Sequence, residues 1–277
     1  MSRNPSGRTY VITGAASGIG LALVTRILDR EPTADILGID LAACPDTRVR
    51  AAICDLSDLD AIADLDLPDH VDALANVAGV PGTAPAGTVL AVNTLGMRAL
   101  TFRVLDRMGP GASIVNVASI AAHRNTQSPE AIAALLNVTD CDRLDAWLAA
   151  HPIDGPAAYD TSKRAVVDWT VALSAALQSR HIRANAVSPG PTETPILVDF
   201  EASMGVDAIA RSAAHVGRHG TAAESAAAVA FLLSEDAAWI NGIDLPVEGG
   251  LTATRAALLP APLTSPRIAP TAKGLSR

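Results

Sequence analysis

Lysine is almost absent from this sequence. Among its 21 basic residues only two are lysines, Lys163 and Lys273, and the second lies in a proline-rich C-terminal stretch. Arginine therefore carries nearly all the positive charge of the folded body. A position that keeps lysine in such a chain is expected to need a compact ammonium group with rotatable donors rather than a planar guanidinium. Lys163 is accordingly the first candidate functional residue.

Aromatic residues and basic clusters are also scarce. Aromatics make up 3% of the 277 residues, and the net charge is −8 with no basic block. Few rings leave few platforms for stacking bases, and a negative surface repels nucleic acids and anionic membranes. We therefore expect a small-molecule substrate and neither nucleic acid nor membrane as a partner. A core of Ala, Val, Leu and Ile suits parallel strands covered by helices.

Cysteines and uninterrupted apolar runs are few as well. Cys44, Cys54 and Cys141 are odd in number and lack metal-ligand spacing, which predicts reduced thiols, no metal and a cytoplasmic protein. No signal-type apolar region stands at the N-terminus. The 25 uncharged residues from Ala73 to Met97 could span a membrane, but four glycines and two prolines interrupt them. That pattern indicates a strand, a loop and a helix instead.

A glycine-rich turn follows the first predicted strand, Thr9–Ile12. It reads Gly14-Ala15-Ala16-Ser17-Gly18-Ile19-Gly20, and helical periodicity begins at once. Glycines let a backbone approach a pyrophosphate closely, and the free amides of a helix N-terminus receive its charge. The context favours a nucleotide site over a plain tight turn.

Asp40 ends the second predicted strand, 20 residues after Gly20. An acid at about this interval accepts hydrogen bonds from the adenosine ribose and repels a 2′-phosphate. Neither Ser17 nor Leu41 supplies a positive charge for that phosphate. The sequence therefore favours NAD over NADP, with a loop-capping role for Asp40 as the alternative.

Two further polar residues end or interrupt predicted elements. Asp55 follows the strand Arg50–Cys54, where it could accept from an adenine amino group or cap the next helix, Leu59–Leu65, and local evidence does not decide between them. Asn93 lies inside a predicted helix over Thr88–Met108, where asparagine is a poor helix former. Capping or a local bend is the simple explanation for it.

Ser119 and the pair Tyr159 and Lys163 are the candidates for chemistry. Ser119 follows the buried strand Ala112–Val117, at the end of the sheet where ligands bind in such folds. Tyr159 and Lys163 are four residues apart on a predicted helix and so share one face. An ammonium group beside a phenol favours the phenolate and suits a general base. The alternative is a tyrosine that packs over a lysine stem.

The 39 residues between Ser119 and Tyr159 are far more than a short connection needs. Ser128-Pro129-Glu130 reads as a helix N-terminus, and a second helix is expected over Cys141–Ala150. We interpret 120–158 as a helical insertion that forms a lid or pocket wall, or else a protein interface. Further on, 193–217 is expected to be a substrate flap in which Phe200, Met204 and Ile209 contact an apolar ligand. An extended or partly disordered, proline-rich tail is expected over 251–277.

Six motifs occur in one order: Thr13-Gly14-x-x-x-Gly18-Ile19-Gly20, Asn76-x-Ala78-Gly79, Asn93, Ser119, Tyr159-x-x-x-Lys163 and Pro189-Gly190-x-x-x-Thr194. In this order they resemble the short-chain dehydrogenase/reductase family, over residues 9 to 250. The resemblance implies a single catalytic domain over 1–250, with a Rossmann-type α/β fold whose doubly wound, seven-stranded parallel sheet carries helices on both faces. Val77, Glu248 and the long tail depart from the family's usual pattern.

The resemblance also implies roles for residues. Tyr159 would act as the base, Lys163 would lower its pKa and hold the nicotinamide ribose, Ser119 would bind the substrate oxygen, and Asn93 would hold a water that relays protons to Lys163. The implied NAD contacts are Gly14, Ser17, Gly18, Ile19, Gly20, Asp40, Leu41, Asp55, Leu56, Asn76, Ala78, Gly79, Tyr159, Lys163, Pro189, Thr192 and Thr194.

The insertion and the turn Thr192-Glu193-Thr194-Pro195 look like the bacterial 3α-hydroxysteroid dehydrogenase/carbonyl reductase type. We therefore expect NAD-dependent interconversion of a bulky, apolar, cyclic secondary alcohol and its ketone. A terpene alcohol or a cyclic cis-dihydrodiol is the alternative substrate, and a non-catalytic NAD(H) sensor or scaffold is the alternative of another class. A homo-oligomer is implied, with a dimer favoured over a tetramer because the insertion would obstruct one helical interface.

Overall fold

A computed structural model describes residues 7–195, 197, 199 and 213–257, and a parallel sheet forms its centre. The strands of the described chain are β1 (Thr9–Thr13), β2 (Asp35–Asp40), β3 (Arg50–Ile53), β4 (Ala73–Asn76), β5 (Ser113–Val117), β6 (Arg183–Pro189), β7 (Thr192–Glu193), β8 (Gly220–Thr221) and β9 (Asp244–Val247). Seven of them form one sheet in the order β3-β2-β1-β4-β5-β6-β9, with every pairing parallel. The predicted Rossmann-type sheet is confirmed.

The helices of the described chain cover both faces of this sheet. They are α1 (Gly18–Arg30), α2 (Leu59–Ala63), α3 (Ala86–Leu90), α4 (Met97–Leu105), α5 (Pro129–Leu136), α6 (Cys141–Ala150), α7 (Gly155–Ala176), α8 (Ala222–Leu233) and α9 (Leu251–Ala257). None of them is both long and apolar enough to cross a membrane. Short 3-10 turns occupy Ile120–Arg124, Gln178–Arg180 and Glu235–Ala237.

Two apolar cores lie on opposite faces of the sheet. Val11 of β1 packs with residues of α4 and α7, whereas its neighbours Tyr10 and Ile12 pack with residues of α1 and α8. Because successive side chains of a strand point to opposite faces, a strand buried on both sides must be apolar at every position. This explains why β1 reads as a continuous apolar run rather than an alternating one.

The helical insertion forms a third apolar core. Leu135 of α5 and Trp147 of α6 pack in one cluster with Leu90 of α3 and with the ring of Tyr159. Two hydrogen bonds hold the insertion together, from Trp147 Nε1 to Ala131 O at 3.0 Å and from Arg98 Nη1 on α4 to Val138 O at 3.1 Å. The predicted N-terminus at Ser128 is confirmed, since its Oγ accepts from Ala131 N. The insertion thus forms a wall behind Tyr159.

The long helix expected over Thr88–Met108 is not a regular α-helix. It begins at Ala86, passes through a π-helical segment at Ala91–Gly96 and ends at Leu105. π segments are uncommon and occur frequently at functional sites. Asn93 lies in this segment, and the hydroxyl of Thr94 donates to the Leu90 carbonyl four residues earlier. The local bend anticipated at Asn93 is therefore a widened helical turn.

Most boundaries agree with the sequence to within a few residues, but the tail does not begin as expected. The first seven residues after Gly250 form α9, in which Leu251 is buried and the Thr252 amide donates to the Glu248 carboxylate. Residues Leu251–Ala257 are therefore helical rather than extended, because Leu251 is buried and Glu248 caps the helix. Phe200, Met204 and Ile209, and residues 258–277, lie outside the described residues.

Candidate active site

The carboxyl ends of β1, β2, β3 and β4, together with Thr194 and Pro195 after β7, surround a cleft with a cavity of about 310 Å³. The predicted cofactor contacts that line this cavity are Gly14, Ser17, Gly18, Ile19, Gly20, Asp40, Leu41, Asp55, Leu56, Ala78, Gly79 and Thr194. The cavity lies where the strand order reverses between β1 and β4, which is the position at which doubly wound sheets bind nucleotides.

Glycines are required at two places in the turn. Gly14 has φ +70°, and a side-chain carbon there would lie 2.9 Å from Ala78 N. At Gly20 such a carbon would lie 2.0 Å from Gly14 O, so the first turn of α1 can rest on the loop only without a side chain. Residues Ser17 to Gly20 at the N-terminus of α1 line the cleft, and a helix N-terminus there would stabilise an anionic group.

Asp40 joins the glycine turn to the end of β2. Its Oδ2 accepts from Ala16 N at 2.9 Å, and its Oδ1 accepts from Leu41 N at 2.7 Å. The loop-capping alternative is therefore partly correct, yet the same contacts hold the carboxylate at the cavity wall. The Leu41 side chain beside it is largely exposed and uncharged.

Asp55 does not cap α2, because Asp58 does so by accepting from Asp60 N and Ala61 N. Oδ1 of Asp55 instead accepts from the amide and the hydroxyl of Ser57, at 2.8 and 2.7 Å. These bonds hold Asp55 at the cavity wall, where an adenine contact remains a proposal.

Asn76 lies behind the cavity rather than on its wall. Its side chain is buried, and its amide donates to Thr101 Oγ1 at 2.9 Å and to Asn116 Oδ1 at 2.8 Å. The register pairs Asn76 with Asn116 on adjacent strands, which turns the amide into the sheet interior. Asn76 therefore connects β4 to β5 and α4, and its expected contact with the cofactor stays a prediction.

The loop that follows Asn76 is held by Thr13, a residue whose role the sequence did not reveal. Its hydroxyl accepts from Val77 N at 2.9 Å and from Ala78 N at 3.0 Å. The sequence signal that could have indicated this role is the hydroxyl side chain directly before Gly14. Other cavity residues that were not anticipated are Ile39, Cys54, Ser57, Val77, Val80, Thr88, Val92 and Pro195.

The turn after β6 reaches the cleft, where Thr194 and Pro195 line the cavity. Thr194 lies across from Gly18, where an added side-chain carbon would meet it at 3.5 Å. Thr192 donates to Gly190 O at 2.8 Å and Thr194 to Thr192 O at 3.3 Å, so both hydroxyls stabilise the turn itself. Pro189 contributes its carbonyl, 3.5 Å from Ser119 Oγ.

Ser119 and Tyr159 are brought together as the sequence predicted. The Ser119 hydroxyl is placed where hydrogen bonding lowers the pKa of the Tyr159 phenol, although the two residues come from the end of β5 and the start of α7. Burial is the main influence on Tyr159 and raises its pKa to about 12, whereas the hydrogen bond from Ser119 and the guanidinium of Arg124 lower it.

Lys163 lies over the aromatic ring of Tyr159. Its Nζ lies over the Tyr159 ring, 5.5 Å from the ring centroid, and donates to Val117 O at 3.0 Å. Burial lowers the pKa of Lys163 to about 8. Desolvation is the largest influence on the pKa of Tyr159, and the expected depression of that pKa by the Lys163 ammonium group stays a prediction.

Asn93 is placed beside Lys163, but its amide is committed to the loop after β4. Oδ1 accepts from Val80 N at 2.9 Å, and Nδ2 donates to Val80 O at 3.0 Å and to Ser162 Oγ at 3.2 Å. The side-chain amide of Asn93 thus bonds to both the N–H and the C=O of Val80, as the backbone of an adjacent strand does. The expected water relay remains a proposal.

Comparison with known proteins gives a consistent set of similarities. Residues 144–252 match the family model described as Enoyl-(Acyl carrier protein) reductase. The chain is 37% identical to coniferyl-alcohol dehydrogenase from a Pseudomonas species, over 90% of this chain and 98% of that protein. It is 30% identical to the 3-alpha-hydroxysteroid dehydrogenase/carbonyl reductase of Comamonas testosteroni, over 88% and 96%.

A similar fold is found among solved structures. The crystal structure of the 3-alpha-hydroxysteroid dehydrogenase from Pseudomonas sp. B-0831, complexed with NADH, superposes with a TM-score of 0.75. The two chains share 31% sequence identity, and the match covers 90% of this chain and 98% of that one.

Proposed function

The chain belongs to the short-chain dehydrogenase/reductase family and is an oxidoreductase that acts on alcohols, and we propose that it uses NAD to interconvert a bulky, apolar, ring-bearing alcohol and its carbonyl product. The observation that carries this proposal is the juxtaposition of Ser119 and Tyr159, with Lys163 over the phenol ring, beside the cleft lined by the glycine turn and Asp40.

The residues of the cleft fit NAD better than NADP. Asp40 presents a carboxylate anchored by two backbone amides, and the described cavity lining contains no Lys or Arg that could neutralise a 2′-phosphate. Glycines at 14 and 20 leave a cradle that side chains would fill. Asp40 would hold the adenosine ribose, the α1 N-terminus the pyrophosphate, and Thr192 and Thr194 would border the nicotinamide. When bound, NAD supplies the acceptor for the hydride.

Tyr159 and Ser119 would handle the proton and the substrate oxygen. In the oxidation direction Tyr159, as phenolate, accepts the hydroxyl proton of the alcohol, while Ser119 hydrogen-bonds the same oxygen as it becomes a carbonyl. In the reverse direction the phenol of Tyr159 returns that proton. Lys163 would hold the nicotinamide ribose, and Asn93 would fix the Val80 loop and the water that reaches Lys163.

The substrate is proposed to be apolar and cyclic. Arg124, the cationic side chain that influences Tyr159, already makes a two-point ion pair with Asp160, so it is not committed to a substrate carboxylate or phosphate. The hydroxysteroid relatives favour a cyclic secondary alcohol, with terpene alcohols and cis-dihydrodiols as variants. The 37% identity to coniferyl-alcohol dehydrogenase favours a second candidate, a primary alcohol on an aromatic side chain.

A substrate panel with two tyrosine variants tests the proposal. NADH formation would be followed with a 3α-hydroxysteroid, a terpene alcohol, a cis-dihydrodiol and coniferyl alcohol. Tyr159→Phe should abolish turnover and keep NADH binding. Tyr10→Phe is the matched control, because Tyr10 is the other of the two tyrosines and lies in the core that β1 forms with α1 and α8, away from Tyr159. Turnover by Tyr159→Phe at a comparable rate would reject the assigned base.

The panel also separates the enzyme from a sensor or scaffold. Tight NADH binding without turnover of any alcohol would favour the non-catalytic alternative. We further propose a cytoplasmic homo-oligomer, with a dimer preferred over a tetramer, and keep the catalytic domain over 1–250 with its flap at 193–217 as part of the proposal.

A further inference from the structure

A short 3-10 turn links Ser119 to the residues that flank Tyr159. The turn Ile120–Arg124 begins at Ser119, whose Oγ accepts from Ala121 N at 3.1 Å, and it ends at Asn125. The position of the Ser119 hydroxyl is therefore tied to the position of the turn. Any contact that fixes the far end of the turn also fixes Ser119.

Arg124 and Asn125, at the C-terminal end of the turn, form hydrogen bonds with the first half of α7. Arg124 donates from Nε to Asp160 Oδ2 at 2.9 Å and from Nη2 to Asp160 Oδ1 at 2.6 Å. Asn125 Oδ1 accepts from Thr161 Oγ1 at 3.1 Å. Two consecutive residues of the turn thus hold the two residues that directly follow Tyr159.

We propose that Arg124 and Asn125, together with Asp160 and Thr161, form a clamp that sets the position of the Ser119 hydroxyl relative to the Tyr159 hydroxyl. Arg124 and Asp160 are then positioning residues for the reaction, an inference that rests on the proposed function. The two-point geometry of the ion pair fixes direction as well as distance, which a lysine could not do.

The clamp should affect rate more than stability. Its ion pair is partly exposed, with 44% of the Arg124 and 16% of the Asp160 side chain accessible, and such pairs add little to folding. In contrast, a displacement of about 1 Å between reacting groups can lower a rate by about 100-fold. Loss of the clamp is therefore expected to lower kcat.

The two charges of the clamp act on Tyr159 with opposite signs. Arg124 lowers the pKa of Tyr159 and Asp160 raises it. Lys163 lies over the ring, and the other charged groups nearby, His123 and Arg164, act on Asp244 of β9. Removing one member of the pair should consequently shift the titration of Tyr159 in a direction that depends on which member is removed.

The chain offers a matched control one helical turn further along α7. Arg164 and Asp168 form the same two-point ion pair, at 2.9 and 2.7 Å, with 45% and 33% of their side chains accessible. The test variants are Arg124→Gln, Asp160→Asn and both together, and the controls are Arg164→Gln and Asp168→Asn. Each test variant should lower kcat by about 10-fold or more, with KM and NADH affinity nearly unchanged, whereas the controls should keep kcat within about twofold.

A titration of Tyr159 tests the clamp independently of turnover. In a Tyr10→Phe background Tyr159 is the sole tyrosine, so fluorotyrosine labelling gives one ¹⁹F signal, and fluorination makes the phenol acidic enough to titrate while the protein is folded. The midpoint should rise in Arg124→Gln, fall in Asp160→Asn and return near its original value in the double variant. The double variant should still have the low kcat.

The outcomes separate this inference from the proposed function. Midpoint shifts of opposite sign with reduced kcat support the clamp. Equal midpoints in all variants, shifts of one sign, or rate losses no larger than in the Arg164 and Asp168 controls overturn it. If the unaltered protein oxidised no alcohol, the proposed function would fail, and the fluorine titration would still decide for or against the clamp.

Discussion

Lys163 lies over the aromatic ring of Tyr159. The Nζ atom is 5.5 Å from the ring centroid and donates to Val117 O, so Lys163 ties α7 to β5 beneath the phenol. The insertion packs in the same apolar cluster as the ring. Tyr159 is therefore a desolvated phenol. Burial raises its pKa, and Ser119 and Arg124 lower it.

This arrangement predicts how the two reaction directions depend on pH. Burial raises the pKa of Tyr159 to about 12, so the phenol is protonated at neutral pH. Alcohol oxidation needs the phenolate, and its kcat/KM should rise with pH from about pH 6 to about pH 10. Carbonyl reduction needs the phenol and should stay nearly level until Lys163, with a pKa of about 8, loses its proton. Initial rates in both directions across this range provide the check, and a level oxidation profile would contradict it.

Gly79 lies close to both Asn93 and Lys163. A side-chain carbon at Gly79 would lie 3.1 Å from Asn93 Oδ1 and 3.4 Å from Lys163 Nζ. Gly79→Ala should therefore displace one of these groups and lower kcat by about 10- to 100-fold. Gly109→Ala is the control, because nothing lies within 4 Å of a carbon added there. Equal activity of the two variants would show that this contact has no role.

The fold was predictable from local pattern, because burial on both faces makes β1 apolar throughout and the glycine turn must precede α1. The orientation of polar side chains was not. Asn76 turns inward because β4 and β5 align it with Asn116, and Lys163 reaches Val117, a partner 46 residues away. Both depend on strand register and helix packing, which residue spacing does not specify.

The preference of this sequence for arginine over lysine also has a structural reason, which the sequence alone did not show. Arg183 donates to Leu232 O at 2.8 Å and to Ser234 O at 2.9 Å, at the C-terminus of α8. Arg180 likewise binds the carbonyls of Leu105 and Met108 at the end of α4. A planar guanidinium group can reach two carbonyls at once, whereas an ammonium group offers a single point of charge.

Arg183→Lys should consequently destabilise the protein. Loss of a charge-assisted bond to a buried helix end is expected to lower the free energy of unfolding by about 1–3 kcal/mol. Arg107→Lys is the control, since Arg107 pairs with the fully exposed Asp69. Urea denaturation of both variants measures the difference, and equal midpoints would show that the fork geometry at α8 does not matter.

Cofactor choice should depend on the anchored carboxylate. The double change Asp40→Ser with Leu41→Arg removes the charge that repels a 2′-phosphate and adds a cation on a side chain that is 66% exposed. The ratio of kcat/KM for NAD to that for NADP should fall by about 100-fold, equivalent to about 2.7 kcal/mol. Leu41→Met is the control for packing alone. An unchanged ratio in the double variant would remove Asp40 from the specificity assignment.

The assembly should be a dimer formed at the β9 edge of the sheet. The insertion covers α3 and the first half of α7, so a partner cannot pack along the full length of those helices. By contrast, β9 pairs only with β6 in the described sheet, and Trp239 and Ile243 precede it with exposed apolar side chains. Trp239→Ser should therefore yield monomers by light scattering, while Phe102→Ser, at a half-exposed aromatic of α4, should leave the dimer intact. A tetramer mass for the unaltered protein would show that the insertion leaves the helical interface open, and a dimer that survives Trp239→Ser would place the interface elsewhere.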